Sequence, residues 1–351
     1  MPVSRVPVGI LGATGMVGQM FIRLLENNPF FEVTELAASE KSAGKTYGEA
    51  MEGRWNVSAE LPEYVRELQV KNCEPSLDCR LVFSALDASV AGGIEEEFAR
   101  AGYAVSSNAK NHRMDRDVPL LVPEINSQHL GLIEIQRKNR NWEGFMVTHP
   151  NCSTTHLSLA LKPLYDDFGL EDIIVTTMQA LSGAGYPGVA SLDILDNVIP
   201  FIGGEEEKLQ TEILKIFGEM DGNGIQNSSF RVSAQCNRVN VRNGHTECVS
   251  VKLSHSASLE DVASSLESFK PLKELKLPSS PERPIVLLRN EDRPQPKYDR
   301  EIERGMASVV GRLRPCNVFD YKFVVLGHNL VRGAAGAAIL NAELMKAKGW
   351  I

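Results

Sequence analysis

The chain has 351 residues, of which 43% are apolar and 23% charged, and its net charge is -8. At roughly 150 residues per domain this is a two-domain length, and the composition is too apolar for a disordered chain. The acidic balance argues against a basic face for nucleic acid, and no apolar run reaches the ~20 residues of a membrane helix. The N-terminus lacks the apolar core and small-residue cleavage site of a signal peptide. Six cysteines (73, 79, 152, 236, 248 and 316) are sparse for the length, and the Cys73–Cys79 spacing fits no zinc pattern. The expectation is a reduced, cytoplasmic chain without a metal site, a membrane segment or a nucleic-acid partner.

Residues 1–150 alternate short apolar runs with helical patterns, which predicts a parallel α/β layer. Val6–Leu11 reads as a buried strand. Val17, Met20, Phe21, Leu24 and Leu25 then recur at helical spacing until Asn27-Asn28-Pro29 stops the helix. Val33–Ala38, Leu81–Ala85 and Tyr103–Ser106 read as further strands, with a helix over Ile94–Ala101.

From about Gly144 the pattern changes to α+β, and residues 151–329 are assigned to a second domain. Phe145–Val147 and Asp172–Met178 read as strands. Val239–Arg242 and Thr246–Leu253 are expected to form a hairpin through Asn243-Gly244, a dipeptide suited to tight turns. Ser258-Leu259-Glu260-Asp261 is a capping-box pattern that opens a helix carrying Val262, Leu266 and Phe269 on one face. Asn290–Tyr298 reads as a surface loop. The small residues Gly333–Ala338 begin a helix that must pack closely, and residues 330–351 are expected to return to the first domain.

Gly12-Ala13-Thr14-Gly15-Met16-Val17-Gly18 follows a strand and opens a helix. Glycine permits the tight turn and lets main-chain N–H groups approach a pyrophosphate, while the helix terminus adds partial positive charge. Gly12, Thr14, Gly15, Met16 and Val17 are therefore candidate dinucleotide contacts. After the second strand, Ser39, Ser42, Lys41 and Lys45 make a nest suited to a 2′-phosphate and favour NADP. Glu35 and Glu40 leave NAD open, because an acidic residue near this point binds the ribose in NAD enzymes.

His149-Pro150-Asn151-Cys152-Ser153-Thr154-Thr155 ends an apolar strand and precedes Leu157, Leu161 and Leu164 at helical spacing. Cys152 is thus predicted at a helix N-terminus, where its pKa should fall and the thiolate can attack a carbonyl. Main-chain N–H groups beside it are expected to hold the oxyanion. The other five cysteines are expected to be buried and inert. Among seven histidines, His245 stands out because Arg238 and Arg242 precede it, a setting for proton movement beside an anionic substrate. His149 and His156 remain nearer in sequence.

The segments GATGMVG (Gly12–Gly18), SNAKNHR (Ser107–Arg113), VPLLVPEIN (Val118–Asn126), NCST (Asn151–Thr154), QALSGAGYPG (Gln179–Gly188), GGEEEK (Gly203–Lys208), RVNVRNGH (Arg238–His245) and NLVRGAAG (Asn329–Gly336) resemble the aspartate-β-semialdehyde dehydrogenase family, in its fungal and archaeal branch. The resemblance implies a Rossmann-type domain joined to an α+β catalytic and dimerisation domain. It also implies NADPH-dependent conversion of L-aspartyl-4-phosphate to L-aspartate 4-semialdehyde and phosphate, on the route to lysine, threonine, methionine and isoleucine. On the same basis Cys152 matches the nucleophile, His245 the acid/base and Gln179 the residue that positions the acyl group. Arg238 matches the carboxylate clamp and Glu205 the amine contact, with the Glu205-Glu206-Glu207 run leaving its register open. Lys208 and Arg113 match phosphate contacts, although Asn108 and Lys110 share the Arg113 segment, and Asn151 joins the substrate set. Ser84, Ala85, Ser182, Gly183 and Asn329 match cofactor contacts. A homodimer or homotetramer is implied. Malonyl-CoA reductase, other acyl-phosphate or thioester reductases, and a non-catalytic NADP sensor are the competing readings.

Overall fold

Short apolar runs bounded by glycine and asparagine build the first sheet. The computed structural model, which describes residues 5–351, places six strands there. They are β1 (Val6–Leu11), β2 (Phe31–Ala38), β3 (Val70–Asn72), β4 (Leu81–Ser84), β5 (Ala104–Ser107) and β6 (Phe145–Thr148). All pair in parallel, in the order β3-β2-β1-β4-β5-β6. Every residue of β4, β5 and β6 is buried, as a parallel sheet covered on both faces requires. The order reverses between β1 and β4, the point at which such sheets open a ligand crevice beyond their carboxyl ends.

The helix Met16–Leu25 follows β1 and buries Phe21, Ile22 and Leu25 against the sheet. A second helix begins at Ala88, earlier than the apolar pattern indicates, because the Asp87 carboxylate accepts the Ser89 N–H at 2.9 Å and caps it. The C-terminal helix Gly336–Ala347 packs Ile339, Leu340, Leu344 and Met345 into the same core as Phe21, Phe31 and Phe83. Its small residues permit the close approach, and the Ser106 hydroxyl donates to the Ala338 carbonyl at 3.2 Å.

Strands β7 (Leu170–Gln179), β10 (Arg231–Arg238), β11 (His245–Leu253), β12 (Ile285–Leu288), β13 (Ser308–Pro315) and β14 (Tyr321–Gly327) form the second sheet. Their order is β10-β7-β11-β14-β13-β12, and β8 (Glu219–Met220) pairs separately with β9 (Ile225–Gln226). The expected hairpin across Asn243-Gly244 does not form. β10 ends at Arg238 and runs parallel to β7, which lies between it and β11. Gly244 does take a positive φ of 100°, but the turn carries the chain from one side of β7 to the other. The Ser258–Asp261 capping box is present and opens the helix Leu259–Ser268, with Val262 and Leu266 buried. The expected loop at Asn290–Tyr298 ends in a helical turn, Pro296–Asp299.

The helix Cys152–Phe168 leaves β6 and packs Leu157, Leu161 and Leu164 into the second core. A widened π-type turn, Val331–Ala335, lies against it. There Arg332 is fully buried and donates to the equally buried Glu124 carboxylate at 2.6 Å. Removing one member of a dehydrated pair leaves an unmatched charge. Arg332→Met alone should therefore cost about 3–5 kcal/mol in denaturant unfolding, and adding Glu124→Gln should recover much of that loss.

Candidate active site

The cleft beyond the carboxyl ends of β1 and β4 has a volume of about 590 Å3. Gly12, Thr14, Gly15, Met16, Val17, Ser39, Ala85, Ser182, Gly183 and Asn329 all line it, as do Arg113, Asn151 and Cys152. Gly12 has a φ of 75°, and a side chain there would meet the Ala85 carbonyl at 2.7 Å. A Cβ at Gly18 would lie 2.3 Å from the Gly12 carbonyl, so the glycine turn can sit on the helix only without side chains. Ser42 and Ser84 do not reach the cleft. The Ser42 N–H closes a turn onto the Ser39 carbonyl and the residue is buried, while Ser84 is fully buried within β4. Glu35 is engaged with Lys71 at 2.7 Å and with the Asp78 N–H at 3.3 Å, away from the cleft.

Cys152 is the first residue of its helix, and Asn151 is the cap. The Asn151 carbonyl oxygen of the side chain accepts the Ser153 and Thr154 N–H groups at 3.0 and 3.3 Å. This consumes two of the main-chain donors that the sequence reserved for an oxyanion. The Cys152 sulfur is 3.1 Å from Nε2 of His245, and the Ala180 N–H donates to Nδ1 of the same ring at 2.9 Å. Gly333 backs the nucleophile, since a Cβ there would lie 2.6 Å from that of Cys152. His149 and His156 are buried elsewhere: one contacts the Thr155 hydroxyl, the other the Ser308 hydroxyl at 2.8 Å.

The expected acid thiol is not found. Burial, followed by the Glu205 carboxylate, pushes the Cys152 thiol up to about 12, outweighing the helix terminus. Burial together with Arg238 and His328 pushes His245 down to about 3. Both shifts favour the uncharged forms of the two groups. The other cysteines are not uniformly inert either: Cys236 is buried, Cys73, Cys79 and Cys316 are half-buried, and Cys248 is exposed. Main-chain N–H groups from Phe319 and Val318 lower the Cys316 thiol.

Glu205 is the inward member of its acidic run. Its carboxylate holds the Asn151 and Gln179 amides at 2.8 and 3.2 Å and pairs with Lys208 at 2.5 Å. Burial raises its pKa, but Lys208 and these hydrogen bonds bring it below the ordinary value. Glu206 instead caps the Cys236 N–H at 3.0 Å. Arg238 is buried and donates to the Ala180 carbonyl at 2.7 Å. Arg242 is exposed and turns away to a separate cavity. Arg113 is buried at the cleft, whereas Lys110 is exposed. Asn329 accepts the Gly244 N–H at 2.9 Å and donates to the Ser182 hydroxyl at 2.8 Å.

Two residues that sequence reasoning missed hold this arrangement. Glu212 receives Arg113 at 2.9 Å on one oxygen and the Asn151 N–H at 2.7 Å on the other. Lys215 donates to the carbonyls of Arg113, Asp115 and Val118 at 2.7–2.8 Å. A signal existed: Leu209, Glu212, Ile213 and Ile216 occupy one helical stripe, so Glu212 is a charge on an apolar face.

Fold and cleft define a two-domain, dinucleotide-type dehydrogenase with a cysteine–histidine pair at the cleft's inner end. Residues 7–133 match the family described as semialdehyde dehydrogenase, NAD binding domain, and residues 161–332 match its dimerisation domain. Aspartate-semialdehyde dehydrogenase from Archaeoglobus fulgidus is 52% identical over 342 residues, covering 97% of this chain and 98% of that one. The crystal structure of the Candida albicans aspartate-semialdehyde dehydrogenase with NADP superposes with a TM-score of 0.91 at 44% identity, covering 99% of this chain and all of that one. An NADP malonyl-CoA reductase from Metallosphaera sedula is 42% identical over 351 residues, with 97% of each chain covered. The chain belongs to the aspartate-semialdehyde dehydrogenase family.

The ionisation order is directly measurable. With iodoacetamide at pH 7, peptide mass spectrometry should find Cys316 labelled before Cys152. Cys152 labelling should climb steadily above about pH 9 without an inflection near the histidine range. Fast labelling of Cys152 at pH 6 is the contrary result.

Proposed function

We propose that the protein reduces L-aspartyl-4-phosphate to L-aspartate 4-semialdehyde with release of phosphate, through a thioacyl intermediate on Cys152. The observation that carries this reading is the 3.1 Å sulfur–imidazole contact opening onto a cleft that also holds Arg113. The glycine turn fits a dinucleotide pyrophosphate, and NADPH, when bound, supplies the hydride. No carboxylate at the end of β2 lines the cleft, whereas Ser39 does, which supports NADP over NAD.

In this reading Cys152 attacks the acyl carbon and Arg113 draws the phosphoryl group, with Lys208 at its other side. Arg238 receives the substrate carboxylate, and Glu205 takes the amine while holding Gln179 and Asn151 in place. His245 stabilises the oxygen or sulfur that gains charge as the aldehyde forms. Asn329 joins the Gly244 turn to Ser182, so the nicotinamide side of the cleft and the His245 strand keep one spacing. The second sheet leaves Ile174 and Cys248 exposed on the face away from the Cys152 helix, a surface suited to a second copy of the chain. We assign a homodimer there; light scattering separates it from a homotetramer. The free cysteines suit cytoplasmic conditions, and the proposed product would place the reaction in amino-acid biosynthesis.

Product analysis with aspartyl phosphate should yield semialdehyde and phosphate with NADPH, and much less with NADH. Malonyl-CoA in place of aspartyl phosphate should give negligible turnover; the reverse preference would overturn the substrate assignment. Cys152→Ala should lower turnover by more than about 1000-fold while NADP still binds. Arg238→Leu should mainly raise KM if the guanidinium anchors the carboxylate in ground and transition states alike.

A further inference from the structure

Arg242 is the charged residue of the Arg238–His245 segment that the active site leaves unused. With Arg300 and Arg304 it lines a second cavity of about 310 Å3, between the helix Met16–Leu25 and the second domain. In a chain of net charge -8 this gathering of cations is a local feature. Glu301 is the carboxylate that lines the cavity, and it is shared between Arg300 at 3.3 Å and His328 at 3.6 Å. Arg23 also reaches the cavity, but Glu26 pairs with it. Among the described residues no ion pair engages Arg242 or Arg304, and the Arg304 guanidinium meets the Pro278 carbonyl only at 3.5 Å. Positive charge is thus left over on this wall.

The backbone under Arg304 is strained. Glu303 and Arg304 take φ of 53° and 59° in succession, and Gly305 follows at 78°. Side chains rarely adopt that region, and it persists where the surroundings enforce it. Here the Glu303 carboxylate accepts from Arg283 at 3.0 Å and from the Glu282 N–H at 3.1 Å, which turns Glu303 outward and leaves Arg304 on the cavity. The facing wall, from the first domain, carries Met20 and Leu24.

We infer that this cavity is a second ligand site, for a small organic phosphate whose phosphoryl group meets Arg242, Arg300 and Arg304 while its apolar body lies against Met20 and Leu24. The volume fits a small molecule. Guanidinium forks suit either carboxylate or phosphate. Three forks brought in from two segments match the three terminal oxygens of a phosphate monoester, whereas the two oxygens of a carboxylate satisfy a single fork.

The site is separate from the cofactor's but shares its wall. Met16, Ser182 and Leu330 line both spaces. The partition is closed by hydrogen bonds: the Ser182 N–H donates to the Arg242 carbonyl at 3.2 Å, and the Ser182 hydroxyl accepts from Asn329 at 2.8 Å. Phosphate ligand and dinucleotide therefore lie on opposite sides of one wall and bind together.

The probe is 4-bromophenyl phosphate, used on the NADP complex of the intact protein. Anomalous scattering from soaked crystals should place bromine beside Met20 and Leu24. In calorimetry at saturating NADP, Arg242→Gln and Arg304→Gln should each weaken probe binding about tenfold while leaving NADP affinity unchanged. 4-Bromobenzoate should bind at least about tenfold more weakly than the phosphate; equal affinity overturns the choice of ligand class. Probe found only in the Cys152 cleft overturns the site, as does unaltered affinity in both variants. An apparent Kd that climbs in proportion to NADP without limit does the same, since the cavity would then belong to the cofactor. If Arg304→Gln does not fold, Arg242→Gln and the NADP competition on unmodified protein decide. None of these readouts depends on turnover, so the proposed reaction could fail while the site stands, or the reverse.

Discussion

A helix that begins at Cys152 leaves the last strand of one sheet and runs along the other, and its first side chain must meet His245 at 3.1 Å. That requirement governs what can be packed nearby. Gly333 has no side chain because the nucleophile's Cβ occupies the space. Gly327 ends β14 beside the His156 ring, where a Cβ would lie 1.9 Å from a ring carbon. The same helix is buried along most of its length, so the nucleophile is fixed by a core and not by a loop. Burial that secures position also suppresses ionisation, and the raised thiol is the physical consequence.

The charged groups around the sulfur are organised by hydrogen bonds to one another before any substrate is present. Glu212 joins Arg113 to the cap of the nucleophile helix. Glu205 joins the same cap to Gln179 and Lys208. A buried carboxylate with several donors is far less costly than an isolated one. Glu205 therefore sets three side chains at once and Glu212 one side chain and one main-chain N–H, so substitution at Glu212 would displace a cation and a helix terminus together.

Much of the first sheet was legible because parallel strands buried on both faces leave continuous apolar runs, as in Leu81–Ser84. Strand β3 has only three residues, two of them exposed, and leaves no such trace. Strand β10 was missed because Arg231, Ser233, Gln235 and Asn237 make it polar, and its place is fixed by pairing with β7. The position of Cys152 at a helix start was readable from local pattern; its ionisation was not, because burial depends on residues distant in the chain. Ser42 and Ser84 failed for a related reason. Composition identifies a hydroxyl, but only the turn at Ser39 and the depth of β4 decide where it is placed.

The ion pair between Arg332 and Glu124 has a bearing on how the cleft behaves as a machine. Two opposite charges sealed from solvent tie the segment behind the nucleophile to the short helix Pro123–Asn126. Any rocking that drew them apart would strand both in a medium unable to solvate them. The jaw is accordingly clamped at its root, and traffic through the crevice must rely on motion of its rim, where Tyr186 lines the cleft and stands open to water.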